Sequence, residues 1–206
     1  ISDYVVLQAH GLVECLLEYV PISSNKVHVI TNNVNTEFWT QGYSLEPNAN
    51  DLGNIKLLFV GSIDFTRGIF VLLDVMSRLK KCKHNYSVKI VGGWGAFTKE
   101  KVLAEIHSRG LSSMIDIIPR VNKLELRNIF RDSDIFLYQT INDGSPRIVL
   151  EAMASGISII ASKHPGIKVL DYSGSIISFT DFGDIDKILE LILDYSSHPN
   201  NWIQRR

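Results

Sequence analysis

The chain reads as an α/β protein, a parallel sheet with helices on both faces, and three observations predict it. Short runs rich in β-branched residues alternate with helix-length amphipathic stretches along most of the length, which is the beat of βαβ units. Glycines follow several of the apolar runs, at points where a strand would turn sharply into a helix. The 206 residues, 45% of them hydrophobic, are enough to bury one substantial core.

Taken in order, residues 5–8 and 26–30 are short β-branched runs and read as strands flanking a helix over residues 12–19. The polar stretch 43–54, with Pro47, Gly53 and several asparagines, reads as a linker and puts a boundary near residues 40–54. Strands at 56–60, 87–91 and 114–118 then alternate with helices at 67–80 and 98–108. A helix at 123–131, a strand at 135–138, a helix at 146–155, strands at 158–161 and 174–178, and a helix at 184–195 complete the series.

Composition excludes several classes. A net charge of −1 gives no basic field for nucleic acid or an anionic lipid surface. Cys15 and Cys82 form no CxxC and no Cys/His spacing, so neither a disulfide framework nor a structural zinc site is supported, and a reduced, cytoplasmic setting is the simpler expectation. No apolar run reaches transmembrane length. The start, ISDYVVLQAHG, lacks Met and the regions of a signal peptide, and reads as the middle of a longer chain. The six histidines show no HxxxH pair and read as core or surface residues.

In open parallel sheets ligands bind beyond the carboxyl ends of the strands, so chemistry is expected in the loops that follow them. Three such loops carry glycine, at Gly61, at Gly92, Gly93 and Gly95, and at Gly144. In residues 61–68 (GSIDFTRG), Arg67 stands near a helix start, where the dipole disfavours a cation by about 0.3–1 kcal/mol unless an anion is bound. It is either solvated there or holds such an anion. Residues 91–95 (VGGWG) lack the GxGxxG spacing and read first as a turn with Trp94 covering the core.

The most informative stretch is residues 142–156 (NDGSPRIVLEAMASG). Ser145 is a good N-cap, Pro146 suits a first helical turn, and Gly156 supplies a left-handed end. Asp143 and Gly144 precede the free amides of that helix start, which favour an anion or a sugar hydroxyl. Asp143 by itself reads first as an Asx-type turn before the helix. Glu151 interrupts an apolar face made by Ile148, Val149, Leu150, Ala152 and Met153, and needs a donor. That donor is either Arg147, in an i,i+4 pair worth about 0.2–0.5 kcal/mol, or the vicinal hydroxyls of a ribose.

The order of these motifs resembles the C-terminal, donor-binding domain of the retaining GT-B glycosyltransferases of family 4, the group-1 glycosyltransferases. Residues 26–38 resemble the family's interdomain segment, with Thr31, Asn33 and Asn35 departing from its Pro-Asn-Gly-Val-Asp pattern. Residues 57–68 resemble its strand plus Gly-Arg-x4-Lys-Gly, with Ser62 in place of the arginine and Arg67 in place of the lysine. Residues 115–121 resemble the strand and loop that receive the nucleobase, with Pro119 where glycine is common. Residues 143–151 resemble its E-x7-E motif, with Asp143 for the first glutamate and Glu151 as the second.

The resemblance implies a Rossmann-like sheet forming the C-terminal half of a GT-B fold. Residues 1–39 would be the end of an N-terminal domain and the interdomain segment, 40–54 a linker, and 55–206 the donor domain. Catalysis would rest on Asp143, Glu151 and Arg67. The donor site would draw on Gly61, Ser62, Arg67, Gly92, Pro119, Arg120, Val121, Asp143, Gly144, Ser145, Pro146, Arg147 and Glu151. In it Arg67 and Ser62 would hold the diphosphate, Asp143 the sugar hydroxyls and Glu151 the ribose.

No metal or other cofactor is implied. The implied reaction is a front-face displacement that moves a glycosyl group from a nucleoside diphosphate to an acceptor hydroxyl with retention. A carbohydrate, lipid or protein acceptor would be met through the N-terminal domain, in the cytoplasm or at the inner face of a membrane. The fragment alone would not turn over. Two other readings stay open, a GT-B-fold sugar-nucleotide epimerase or hydrolase and a noncatalytic nucleotide-binding or regulatory module.

Overall fold

A computed structural model of the chain describes residues 3–41, 54–96 and 98–198. The expected linker falls mostly on residues 42–53, outside the described residues. The chain opens with β1 (Val5–Leu7), α1 (Val13–Tyr19) and β2 (Val27–Val29), and the two strands pair in parallel. A one-turn helix, α2 (Thr36–Thr40), follows where the sequence suggested none. Asn35 starts it, its side chain accepting from Phe38 N at 3.0 Å. Five residues are too few for a periodic signal.

The main body runs β3 (Asn54–Val60), α3 (Ile69–Leu79), β4 (Asn85–Val91), α4 (Lys99–Ser108), β5 (Ile115–Ile118) and α5 (Lys123–Arg131). It continues as β6 (Ile135–Tyr138), α6 (Arg147–Ala154), β7 (Ser158–Ser162), α7 (Pro165–Lys168), β8 (Ile177–Thr180) and α8 (Ile185–Ser197). Strands β3 to β8 form one parallel sheet in the order β5-β4-β3-β6-β7-β8. This is the doubly wound α/β architecture that the alternating pattern predicts.

The pleat sends successive strand residues to opposite faces, and each face buries its own helices. Leu57, Phe59, Ile90 and Leu137 pack with Leu72, Leu73 and Met76 of α3, Val102 of α4 and Ile188 of α8. Leu58, Val91 and Phe136 pack on the other face with Trp39 of α2, Phe130 of α5 and Val149 of α6. Each such side chain contributes about 1.5–3 kcal/mol of transfer free energy. On that second face Trp39, Phe130, Phe136 and Tyr138 form a continuous series of ring contacts 5.6–5.8 Å apart.

Two boundaries differ from the sequence reading for reasons the hydrogen bonds show. The helix expected from residue 67 begins at Ile69, because Asp64 Oδ1 accepts from Arg67 N at 3.1 Å and winds Phe65–Arg67 into a 3-10 turn. Left-handed Gly68 (φ 73°) separates that turn from α3. The strand expected at 174–178 starts instead at Ile177. Buried Asp171 accepts from Ile176 N at 3.0 Å and Ile177 N at 2.9 Å, which holds the preceding residues in a turn. The short α7 was not foreseen, again for want of length.

Candidate functional site

The order of the strands reverses between β3 and β6, and the loops leaving those two strands enclose a cleft of about 620 Å3. Crevices of this size at such a reversal are where open α/β sheets take small ligands. The loop after β3 is braced by the loop after β4. Gly61 N donates to Val91 O at 3.0 Å, Ile63 N to Gly93 O at 2.8 Å, and Gly95 N to Ile63 O at 3.1 Å. A Cβ at Gly92 would lie 1.8 Å from the Gly61 oxygen, so glycine there serves a close backbone approach. Trp94 packs on the core and bridges Ile63, as a covering residue.

Arg67 projects into the cleft from the end of the 3-10 turn. Its Nη1 donates to Tyr138 Oη at 2.9 Å, to Thr140 Oγ1 at 3.3 Å and to Asp143 Oδ2. Tyr138 Oη donates in turn to the same Oδ2 at 2.6 Å. Among the described residues the Asp143 side chain accepts from no backbone N–H, so it is not used for an Asx turn. Burial first, and then the Asp143 carboxylate, push the Tyr138 phenol far above the ordinary tyrosine range. It therefore stays a proton donor at neutral pH.

Across the cleft the arrangement is different. Pro146, with extended ψ of 112°, occupies the N-cap of α6, and no side chain caps that helix. Ser145, expected there, is displaced by one position. Its carbonyl accepts from Asn32 Nδ2 at 2.7 Å, and its hydroxyl is buried without a partner. Arg147 is exposed at the first helical position and has no hydrogen bond or ion pair among the described residues. The same holds for the half-buried carboxylate of Glu151 one turn later, so the expected i,i+4 pair does not close. Burial raises the Glu151 pKa, partly offset by Lys123 and Arg147.

Of the residues selected from the sequence, Gly61, Ser62, Arg67, Asp143, Ser145, Pro146 and Arg147 line this one cleft. Gly92, Gly144, Glu151, Pro119, Arg120 and Val121 lie outside its lining. Gly144 backs onto α7, where a Cβ at Gly166 would lie 1.9 Å from the Gly144 oxygen. Past β5, Arg120 lies over Gly93, while Val121 packs into the second core cluster.

Tyr138, Thr140, Asn32 and Gln8 were not singled out from the sequence, yet Tyr138, Asn32 and Gln8 line the cleft and Thr140 bonds Arg67. Tyr138 closes an apolar strand run, and its place as the last residue of that strand was the available signal. His164, read as an ordinary histidine, caps α7 by accepting from Gly166 N at 3.2 Å. Burial lowers its pKa, and Asp143 partly offsets that.

A doubly wound domain with an arginine-lined cleft at its strand-order reversal is a Rossmann-like domain. Comparison with known proteins narrows this. The glycosyl transferases group 1 family matches residues 44–206, and the chain belongs to that family. It is 29% identical over 157 residues to an uncharacterized glycosyltransferase of Haemophilus influenzae, covering 74% of this chain and 42% of that protein. It is 21% identical to a D-inositol 3-phosphate glycosyltransferase of Segniliparus rotundus, covering 82% of this chain and 38% of that protein. The chain thus spans less than half the length of these relatives.

Among solved structures, Anabaena Alr3699/HepE in complex with UDP and glucose superposes with a TM-score of 0.83 at 13% identity, covering all of this chain and 56% of that one. The sheet and its helices are therefore the C-terminal half of a GT-B fold. Among the described residues no helix is long and apolar enough to cross a membrane.

Proposed function

We propose that this domain binds a nucleoside diphosphate sugar and that the full-length protein transfers the glycosyl group to an acceptor hydroxyl with retention. One observation carries the reading: two arginines and an uncapped helix start converge on a single cleft at the strand-order reversal. Arg67, the Ser62 hydroxyl and the first amides of α6 meet the diphosphate. The carboxylate of Asp143 accepts from sugar hydroxyls, and Glu151 accepts from the ribose.

The chemical task is to stabilise the negative charge that grows on the departing diphosphate as the glycosidic carbon–oxygen bond breaks. Donors already fixed before the reaction do this without further reorganisation. The acceptor, a carbohydrate, lipid or protein, is met by the facing half of the protein. Family membership and the UDP bound by a structural neighbour support this reading.

Calorimetry with UDP-, GDP- and ADP-sugars, followed by a transfer assay on the full-length protein, tests it. Saturable binding of one nucleotide class is expected. No binding of any class would sink the donor-site reading, and binding without transfer would favour a noncatalytic nucleotide-binding module.

A further inference from the structure

We infer that Tyr138 is the positioning residue of the cleft: its hydroxyl keeps Asp143 satisfied so that Arg67 can share its charge with a diphosphate. This rests on the donor-site reading above.

The hydrogen bonds are concentrated on one nitrogen. Tyr138, Thr140 and Asp143 all accept from Arg67 Nη1, while Nε and Nη2 have no acceptor among the described residues. That leaves one edge of the guanidinium for an incoming ligand, and this edge matches two phosphate oxygens in bidentate geometry. The three acceptors fix the rotation of the guanidinium plane in advance.

Asp143 is the weak point of such a scheme. Its side chain is only 16% exposed, and among the described residues Arg67 is its one salt-bridge partner. As a diphosphate draws charge from Arg67, a carboxylate without another donor would hold the arginine back, since an unmet buried charged group is costly. Tyr138 supplies that donor. Its hydroxyl accepts from Arg67 and donates to Asp143, so it relays between the two. The ring is 5% exposed and rests on Phe136 at 5.6 Å, which leaves the hydroxyl little freedom to move away. No other side chain among the described residues bonds both Arg67 and Asp143.

The test is a double-substitution cycle, Tyr138→Phe and Asp143→Asn singly and together, in the full-length protein. Affinities for UDP, GDP, ADP and inorganic pyrophosphate are read by calorimetry, with thermal melting to verify the fold. Phe keeps the ring and its packing. Tyr138→Phe should weaken diphosphate binding by about tenfold in the otherwise unaltered protein. In the Asp143→Asn background, where the Asp143 carboxylate no longer competes for Arg67, the same change should cost less than about twofold.

Two results overturn the inference: unchanged binding in Tyr138→Phe, or an equal loss in both backgrounds, which marks Tyr138 as merely structural. If the unsubstituted protein binds none of the probes, the donor-site reading falls and takes this inference with it. Normal binding by the unsubstituted protein keeps the two failures apart.

Discussion

The two walls of the cleft use similar side chains and leave them in opposite states. On the β3 and β6 side, Arg67, Tyr138, Thr140 and Asp143 satisfy one another through hydrogen bonds. On the α6 side, the Ser145 hydroxyl is buried without a partner, and exposed Arg147 and, just outside the lining, half-buried Glu151 make no hydrogen bond or ion pair among the described residues. A buried polar group left unmet, as the Ser145 hydroxyl is, costs about 1–3 kcal/mol, so this wall is poised for something that meets it. The satisfied wall holds its geometry before a ligand arrives, and the unsatisfied wall gains most when it does. Orientation and affinity are thus divided between them.

The largest expected effect comes from breaking the satisfied wall. Arg67→Ala removes the cation on which three side chains converge. Nucleoside diphosphate affinity should fall about 100-fold, on the order of 3 kcal/mol, by loss of charge-assisted bonds. Calorimetry checks it, and a loss under about threefold would mean that this wall does not face the phosphates.

A smaller effect of two opposite signs is expected at Glu151. Its folded-state pKa is raised, chiefly by burial, so the native state holds this proton to higher pH than the unfolded chain does. The associated stability is fully present below the ordinary glutamate value and is lost as pH rises through the raised one. Glu151→Gln should therefore become progressively more stable than the parent protein across that window, with a constant advantage at higher pH. Urea unfolding at a series of pH values measures this. The same change should weaken binding of a nucleoside diphosphate by about tenfold, by removing an acceptor for ribose hydroxyls. A stabilised variant that binds normally would leave the carboxylate without a role on the ligand side of the comparison.

The doubly wound sheet was legible because its signals are local and repeated. β-branched runs such as residues 56–60 and 135–138 and amphipathic helices such as α3 and α8 carry the correct period on their own. What was missed depends on length or on distant partners. Helices α2 and α7 are too short to show a period. Ser145 has good N-cap chemistry, but Asn32, more than a hundred residues away, takes its carbonyl, and Pro146 assumes the cap. At the site, Arg67 and Asp143 stood out as charges near helix starts. Tyr138 did not, because an aromatic residue closing an apolar strand looks like core. Only the tertiary pairing with Arg67 and Asp143 shows that its hydroxyl belongs to the cleft.

The smallest effect separates the two arginines. Arg147 and Arg67 line the same cleft, but only Arg67 is held in place. Arg147 is exposed, so much of its charge is screened by water and salt. It also sits at the positive end of α6, where a cation costs about 0.3–1 kcal/mol in the absence of an anion. A bound diphosphate reverses that cost, though an exposed side chain without a partner among the described residues must be ordered to gain it. Arg147→Ala should therefore weaken diphosphate binding by only about threefold and flatten its dependence on ionic strength. The affinity of the bare nucleoside should not change. Titrations with nucleoside and nucleoside diphosphate at low and high salt distinguish these terms. A loss as large as that of Arg67→Ala would erase the difference between the walls, because it would mean that Arg147 is also ordered by protein partners once the full-length chain is assembled.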